Sequence, residues 1–244
     1  AEWRELETGF RRACVLPVTD LPRRTQDRSA ETLSPARLPM DWRRFVNEPD
    51  TDFALVANSR WAESLVARAP AGPGEWSTLP VVIGDLELFE SRRRLACLDP
   101  SRPGVVLCES TESTSSDVRE AVRIARSDPS GWRSRDCDER VRVLGEVAAR
   151  LRAARGRLLR TMVANAGKTL VEGDPEVSEA IDFVEFYRSV AADWYGRDDV
   201  DAQPRGVVVV VPPWNFPLAI PCGGVTAGLA AGNTVILKPA SASV

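Results

Sequence analysis

The most strongly apolar stretch of the chain is a run of five valines at residues 207–211. Such a run, rich in β-branched residues, is typical of a strand buried on both faces of a parallel sheet. Two prolines follow and end the strand, because each lacks a backbone donor. Residues 217–232 then predict a helix that opens at a proline and stops at a glycine, and residues 234–237 predict a second strand. The pattern therefore predicts a strand–helix–strand unit of a parallel α/β sheet.

Before the valine run, apolar residues recur mainly at helical spacing. The predicted helices cover residues 3–15, 55–67, 140–155, 158–164 and 174–195, with one more capped by Ser116 or Asp117 and carrying an apolar stripe from Val118 to Ala125. Short strands are predicted at residues 79–83, 86–89 and 104–109, and a turn-rich connector at 69–80. Apart from the first helix, residues 1–50 are rich in prolines and arginines, which predicts a linker or an extended wrapping segment. The fold class is thus α/β, a doubly wound parallel sheet preceded by helices and short strands.

Composition narrows the class of protein. Hydrophobic residues make up 43% and charged residues 27% of the chain, as in globular proteins, and the net charge is −3. A weakly acidic chain gives no reason to expect a nucleic acid or an anionic membrane as partner. No apolar run reaches the length of a membrane span, and the charged amino terminus is not that of a signal peptide.

Cysteine and histidine usage limit the chemistry further. The five cysteines are scattered without any CxxC spacing, which indicates reduced thiols in a cytoplasmic protein. Histidine is absent, so neither a His-ligated metal nor a His-activated nucleophile lies within this chain, and we predict no metal site. Cys222 lies in the apolar helix without an adjacent cation, and we interpret it as an inert, buried thiol.

Two polar side chains follow the two predicted parallel strands. Asn215 comes after the first and Lys238 after the second, and ligands bind at the carboxyl ends of strands in such sheets. Residues 213–217 (PWNFP), 230–234 (AAGNT) and 238–240 (KPA) together resemble the NAD(P)-dependent aldehyde dehydrogenases. Gly223, Gly224 and Gly228 lack the GxGxxG order of a phosphate loop, so we expect them to allow close helix–sheet packing.

The resemblance implies a catalytic role for Asn215, whose side-chain amide would donate to the oxyanion that forms during aldehyde oxidation. The spacing alone also fits a structural role, because asparagine is a common N-cap and a helix is predicted to open two residues later. Phe216 is implied to line the aldehyde tunnel. The nucleophilic cysteine and the catalytic glutamate of the family lie beyond the segment that this chain matches, so we expect the chain alone to be inactive.

The resemblance also implies the cofactor residues. Lys238 would contact the adenosine ribose, although most lysines are simply solvated. The remaining implied cofactor residues are Val211, Pro212, Pro213, Trp214, Ala240 and Ser241, and for Val211 ordinary core packing is an equal alternative. Ser241 stands where the family usually has an acidic residue, so NAD is the first expectation and NADP stays open.

Three further segments narrow the resemblance. Residues 48–53 (EPDTDF), 166–170 (AGKTL) and 176–183 (EVSEAIDF) look most like the L-glutamate γ-semialdehyde (Δ1-pyrroline-5-carboxylate) dehydrogenase module of bifunctional proline-utilisation proteins. This implies a proline dehydrogenase domain upstream, residues 1–50 as the connector from it, residues 51–244 as the amino-terminal part of an NAD-binding domain, and a homo-oligomer. The alternatives are an aldehyde dehydrogenase for another substrate, or a non-catalytic remnant used for packing or oligomerisation.

Overall fold

Helices dominate the part of the chain that the computed structural model describes, residues 2–15, 24–67 and 78–244. The α-helices are α1 Glu2–Val15, α2 Val56–Ala67, α3 Ser115–Ser127, α4 Cys137–Ala153, α5 Arg155–Ala166, α6 Leu170–Tyr195 and α7 Ala219–Ala230. The strands are β1 Val81–Ile83, β2 Leu86–Leu88, β3 Arg94–Leu98, β4 Val106–Thr111, β5 Val207–Val210 and β6 Thr234–Leu237. Short 3₁₀ turns lie at Arg28–Ala30, Trp42–Arg44 and Trp132–Ser134.

The core lies among α4, α5 and α6. Each of these helices presents apolar residues three or four positions apart, which places them on one face. The fully or almost fully buried members are Val141, Leu144 and Ala148 on α4, Leu159 and Met162 on α5, and Val177, Ile181 and Val184 on α6. At 26 residues, α6 is the longest of these helices, and it packs against α4, α5 and α7. It is therefore the central element of the fold.

The strands form three pairs. β1 with β2 and β3 with β4 are antiparallel, whereas β5 and β6 are parallel, with Val207 opposite Thr234 and Val210 opposite Leu237. Helix α7 connects the parallel strands and packs on them. The predicted strand–helix–strand unit is thus confirmed.

Close packing of α7 on the parallel pair depends on two glycines. A Cβ added at Gly224 would lie 2.7 Å from Val210 Cγ1, and one added at Gly228 would lie 2.8 Å from Val235 Cγ2. Real Cβ atoms do not approach other carbons so closely, so only glycine fits both positions. The interpretation of these glycines as packing residues is confirmed.

The prediction that the valine strand is buried on both faces is wrong. β5 ends at Val210, and residues Val209 and Val211 are 58% and 65% exposed. Among the described residues, β6 pairs with one edge of β5 and α7 covers the sheet, and no other strand is hydrogen-bonded to β5. The valine run is apolar enough to be buried on both faces, but the described part of the chain leaves one of its faces exposed.

Two helix starts differ from prediction. α6 begins at Leu170, four residues before the predicted start, because Thr169 and Glu172 form a capping box. Pro175, which we expected near the first turn, lies inside the helix. α7 begins at Ala219 and not at Pro217, with Leu218 as its N-cap.

The region of α3 also requires corrections. Thr114 is the N-cap of α3, not Ser116 or Asp117, and Asp117 completes the capping box at the third helical position. Val118, the first residue of the predicted apolar stripe, is exposed. Strand β3 was not predicted, since its sequence RLACL carries a charged residue and little β-branching. Most of the predicted connector at residues 69–80 lies outside the described residues. Within the described ranges, the helices lack the length and apolarity needed to cross a membrane.

We expect Gly228→Ala to destabilise the chain by about 1–3 kcal/mol, because the added methyl group overlaps Val235 and forces α7 away from the sheet. Urea unfolding followed by circular dichroism measures the change in the free energy of unfolding. Gly9→Ala in α1 is the control, since an added Cβ there meets nothing within 4 Å. Equal stability of the Gly228→Ala variant and the wild type would contradict the close approach.

Candidate functional site

The loops that follow β5 and β6 meet at one edge of the parallel pair. The backbone N–H of Lys238 donates to Val210 O at 2.9 Å, and Ser243 Oγ donates to Trp214 O at 3.2 Å. A bridge between Ala240 and Ser243 folds the second loop back on itself. Because parallel strands bring their carboxyl ends together, both predicted polar groups lie on loops at this edge, as expected.

Asn215 lies in the first of these loops, and its side chain is exposed. The N-cap of α7 is Leu218, three residues further on, so the structural alternative in which Asn215 caps this helix is wrong. Asn215 makes no side-chain hydrogen bond to the described residues. Its amide is therefore free to donate to a ligand, which agrees with the role implied by the resemblance.

Lys238 begins the second loop and is also exposed. Its Nζ donates to Pro239 O at 3.0 Å, which leaves the ammonium two further donors. Ser241 is exposed and Ala240 half-buried beside it. A single cation at a strand end, with a hydroxyl three residues on, can bind the hydroxyl groups of a ribose.

Apolar side chains surround these polar groups. Val211, Pro213 and Trp214 are exposed, whereas Pro212 is buried. Val211 is 65% exposed and does not belong to the core of the described residues, so the core-packing alternative for this residue is wrong. A shallow cavity of about 290 Å³ runs beside this loop and is lined by residues from β5, the loop, α6 and α7: Phe183, Tyr187, Val210, Val211, Pro212, Pro213, Ile220, Gly223 and Gly224.

Phe216 follows Asn215 in the loop and is 40% exposed. The Nζ of Lys168 lies 4.6 Å from the centre of the Phe216 ring, within the range of a cation–π interaction. Lys168 also forms an ion pair with the buried carboxylate of Glu176 on α6. Residues Lys168 and Glu176 stood in segments that carried the family resemblance, but sequence reasoning gave neither a role, because only the fold brings them to the loop.

Cys222 lies in the first turns of α7 and is half-buried, with its Sγ 3.5 Å from Ala180 O. Burial raises the pKa of this thiol to about 12, because the thiolate loses solvation. Among the described residues, no cation offsets that loss. The structure therefore gives Cys222 no means of acting as a nucleophile at neutral pH.

A larger cavity, of about 780 Å³, lies elsewhere, between α2 and α5. It is lined by several arginines and by Asn165, but by none of the predicted site residues. The described residues contain no group of three acidic or cysteine side chains that could hold a metal ion. The loops after β5 and β6 are consequently the candidate site.

Two parallel strands joined by a helix, with polar groups on the loops at their carboxyl ends, define the Rossmann-like class of α/β nucleotide-binding folds. The sequence model of the aldehyde dehydrogenase family matches residues 89–244, more than half of the chain. The chain belongs to the aldehyde dehydrogenase family, and the resemblance drawn from residues 213–217 and 230–240 is confirmed.

Individual relatives are similar over most of this chain. A 1-pyrroline-5-carboxylate dehydrogenase of Bacillus licheniformis is 31% identical over 211 residues, which is 82% of this chain and 40% of that protein. The crystal structure of proline utilization A from Bdellovibrio bacteriovorus is 30% identical, with a TM-score of 0.75, over 84% of this chain and 22% of that one. A Thermus 1-pyrroline-5-carboxylate dehydrogenase with bound NAD is 29% identical, with a TM-score of 0.72, over 82% of this chain and 40% of that one. The chain thus spans about two fifths of the length of the curated relatives it matches.

We expect iodoacetamide at pH 8 to label Cys14, which is exposed, and to leave Cys222 unlabelled in the native chain. The raised pKa keeps Cys222 as the thiol, so its reactive fraction stays small until the pH approaches 12. Mass spectrometry of peptides measures the labelling at each cysteine, and labelling in denaturant, where all five should react, is the control. Rapid modification of native Cys222 would refute an inert thiol.

Proposed function

We propose that this chain is the amino-terminal part of an NAD-dependent dehydrogenase that oxidises L-glutamate γ-semialdehyde to L-glutamate. The observation that carries the proposal is the free amide of Asn215, exposed on a loop at the carboxyl edge of the parallel pair, beside the loop of Lys238. The names of the relatives and their similarity over four fifths of this chain support the substrate.

The candidate site fits a dinucleotide. Lys238 and Ser241 offer donors for ribose hydroxyls, and exposed Val211, Pro213 and Trp214 offer an apolar surface at the same edge, with Pro212 and Ala240 as backbone supports. NAD, when bound, supplies the acceptor for the hydride that leaves the substrate. The NAD bound to the Thermus relative supports NAD as the cofactor. NADP stays open as the alternative, because Ser241 lacks the carboxylate that would repel its 2′-phosphate.

Asn215 is proposed to stabilise the oxyanion of the substrate. Its side-chain N–H groups donate hydrogen bonds without titrating, so the contribution does not depend on the pH. The donor is useful only when it is fixed before the reaction, because a mobile amide would have to be ordered during each turnover. Phe216, next to Asn215 in the same loop, is proposed to line the path of the aldehyde.

The wider organisation belongs to the same proposal. Similarity to proline utilization A supports a proline dehydrogenase domain upstream, residues 1–50 as connector and residues 51–244 as the start of the dehydrogenase domain. In the described part of that connector, Trp42 Nε1 donates to Asp193 at 3.0 Å, which shows a segment held against α6. Homo-oligomerisation and a cytoplasmic location are part of this proposal.

Asn215→Ala in the complete enzyme should lower kcat by about 100- to 1,000-fold, the loss measured for one oxyanion donor elsewhere, while the Kd of NAD stays within about two-fold. Stopped-flow measurement of NADH formation and fluorescence titration of NAD give the two values. Asn47→Ala is the control, since its exposed amide binds Asp182 at 2.7 Å and lies on another element. Weakened NAD binding with unchanged kcat would argue against the oxyanion role.

The 244-residue chain alone should form no NADH from NAD and L-glutamate γ-semialdehyde, because the proposed nucleophile lies outside it. The complete enzyme should use this semialdehyde with a kcat/KM at least ten-fold higher than that for propanal or hexanal. Absorbance at 340 nm measures both. NADH formation by the chain alone, or a preference for the simple aldehydes, would count against the proposal.

A further inference from the structure

Glu176 is a buried carboxylate that the proposed mechanism does not use. It lies in the second turn of α6 and is 2% exposed. Its Oε1 accepts hydrogen bonds from the backbone N–H groups of Leu218 at 2.7 Å and Ala219 at 3.1 Å. Its Oε2 contacts Nζ of Lys168. Both oxygens are therefore engaged, one by the backbone that follows the candidate site and the other by a cation.

This arrangement supplies a cap that α7 lacks locally. The first N–H groups of a helix have no partner within the helix. The N-cap residue of α7 is Leu218, whose apolar side chain cannot accept hydrogen bonds from these groups. A carboxylate at this end also interacts favourably with the positive end of the helix dipole. Glu176, which belongs to α6, thus does the work of an N-cap side chain for α7, although it lies 42 positions earlier in the sequence.

Few other groups hold the loop. Among the described residues, side chains from elsewhere hydrogen-bond its backbone at two points only: Glu176 at Leu218, and Ser243 Oγ at Trp214 O. Asn215 lies between these two points, one residue after Trp214 and three residues before Leu218. Lys168, which Glu176 holds, also lies over the ring of Phe216. The position of the Asn215 amide depends on these contacts because its own side chain has no partner in the described part of the chain.

We propose that Glu176 is a positioning residue that fixes the start of α7 and thereby the amide of Asn215, with Lys168 as its counter-ion and as the contact to Phe216. The part of this inference that concerns turnover rests on the proposed function. The part that concerns the loop stands on the hydrogen bonds alone, so the two can be tested separately.

The first test measures amide hydrogen exchange in the 244-residue chain. In Glu176→Gln, exchange at Leu218 and Ala219 should be about five- to ten-fold faster, since a neutral acceptor holds N–H groups less strongly than a carboxylate. Glu172→Gln is the matched control: this exposed glutamate caps α6 itself through Thr169 and does not reach the loop. Unchanged exchange at Leu218 and Ala219 in Glu176→Gln would show that Glu176 does not hold the loop.

Glu176→Gln leaves the ammonium of Lys168 without its carboxylate partner, and a second variant removes this effect. In Lys168→Met/Glu176→Leu, apolar side chains replace the ion pair, a change that often leaves stability intact. Exchange at Leu218 and Ala219 should again be faster than in the wild type, because the acceptor is gone. Protection equal to that of the wild type would overturn the proposal, since it would mean that the cap is dispensable.

The last test measures turnover in the complete enzyme. Both Glu176 variants should lower kcat on the order of ten- to a hundred-fold, with the KM for NAD nearly unchanged, because a small displacement of the oxyanion donor affects the reaction and not cofactor binding. Glu172→Gln should keep the wild-type kcat. A normal kcat in both Glu176 variants, or a loss confined to the KM for NAD, would refute the positioning role. A wild-type enzyme without aldehyde oxidation would instead refute the proposed function, while the exchange results would stand.

Discussion

The pairing of buried carboxylates on α6 is the constraint on which the rest of this structure depends. Asp174, Glu176 and Glu185 are each at most 2% exposed, and a buried charge is tolerated only when it is paired and hydrogen-bonded. Arg155 lies 2.9 Å from Asp174, Lys168 contacts Glu176, and Arg188 lies 2.5 Å from Glu185. Each pair ties α6 to a different part of the chain or stiffens α6 itself, so the helix is fixed in both position and rotation.

This constraint extends to segments that have little regular structure. Asp174 also accepts from the backbone N–H and the hydroxyl of Thr51, at 2.5 and 2.6 Å, which holds the segment before α2 against α6. Asp182 accepts from the backbone N–H of Glu48 at 2.6 Å, although its burial and the neighbouring acids raise its pKa. The candidate site gains from this arrangement, because binding loops function best on a rigid scaffold. The loop of Asn215 is attached at Leu218 to α6, the helix whose buried carboxylates are paired.

Several elements could be predicted because their signals are local. The valines of β5, the β-branched run of β6 and the glycines of α7 indicated a parallel unit, and helical spacing over residues 140–155 predicted α4. The predicted start of α6 was wrong because it was placed next to Pro175, a residue typical of a first helical turn. The capping box of Thr169 and Glu172, which sets the actual start, is also recognisable in the sequence. The structural alternative, in which Asn215 caps α7, failed for a different reason: α7 is capped by Glu176 of α6, and spacing along one segment cannot reveal such a partner.

The sequence by itself determined the class of fold, the family, and the two loops on which Asn215 and Lys238 lie, since strand periodicity, turn residues and motif order are properties of neighbouring residues. Tertiary structure alone decided which faces are buried, as the exposed Val209 and Val211 show, and which distant groups meet at the loop. Glu176 and Lys168 reach Leu218 and Phe216 only after α6 has packed against α7. Burial and pairing depend on every element that surrounds a side chain, and no local pattern contains that information.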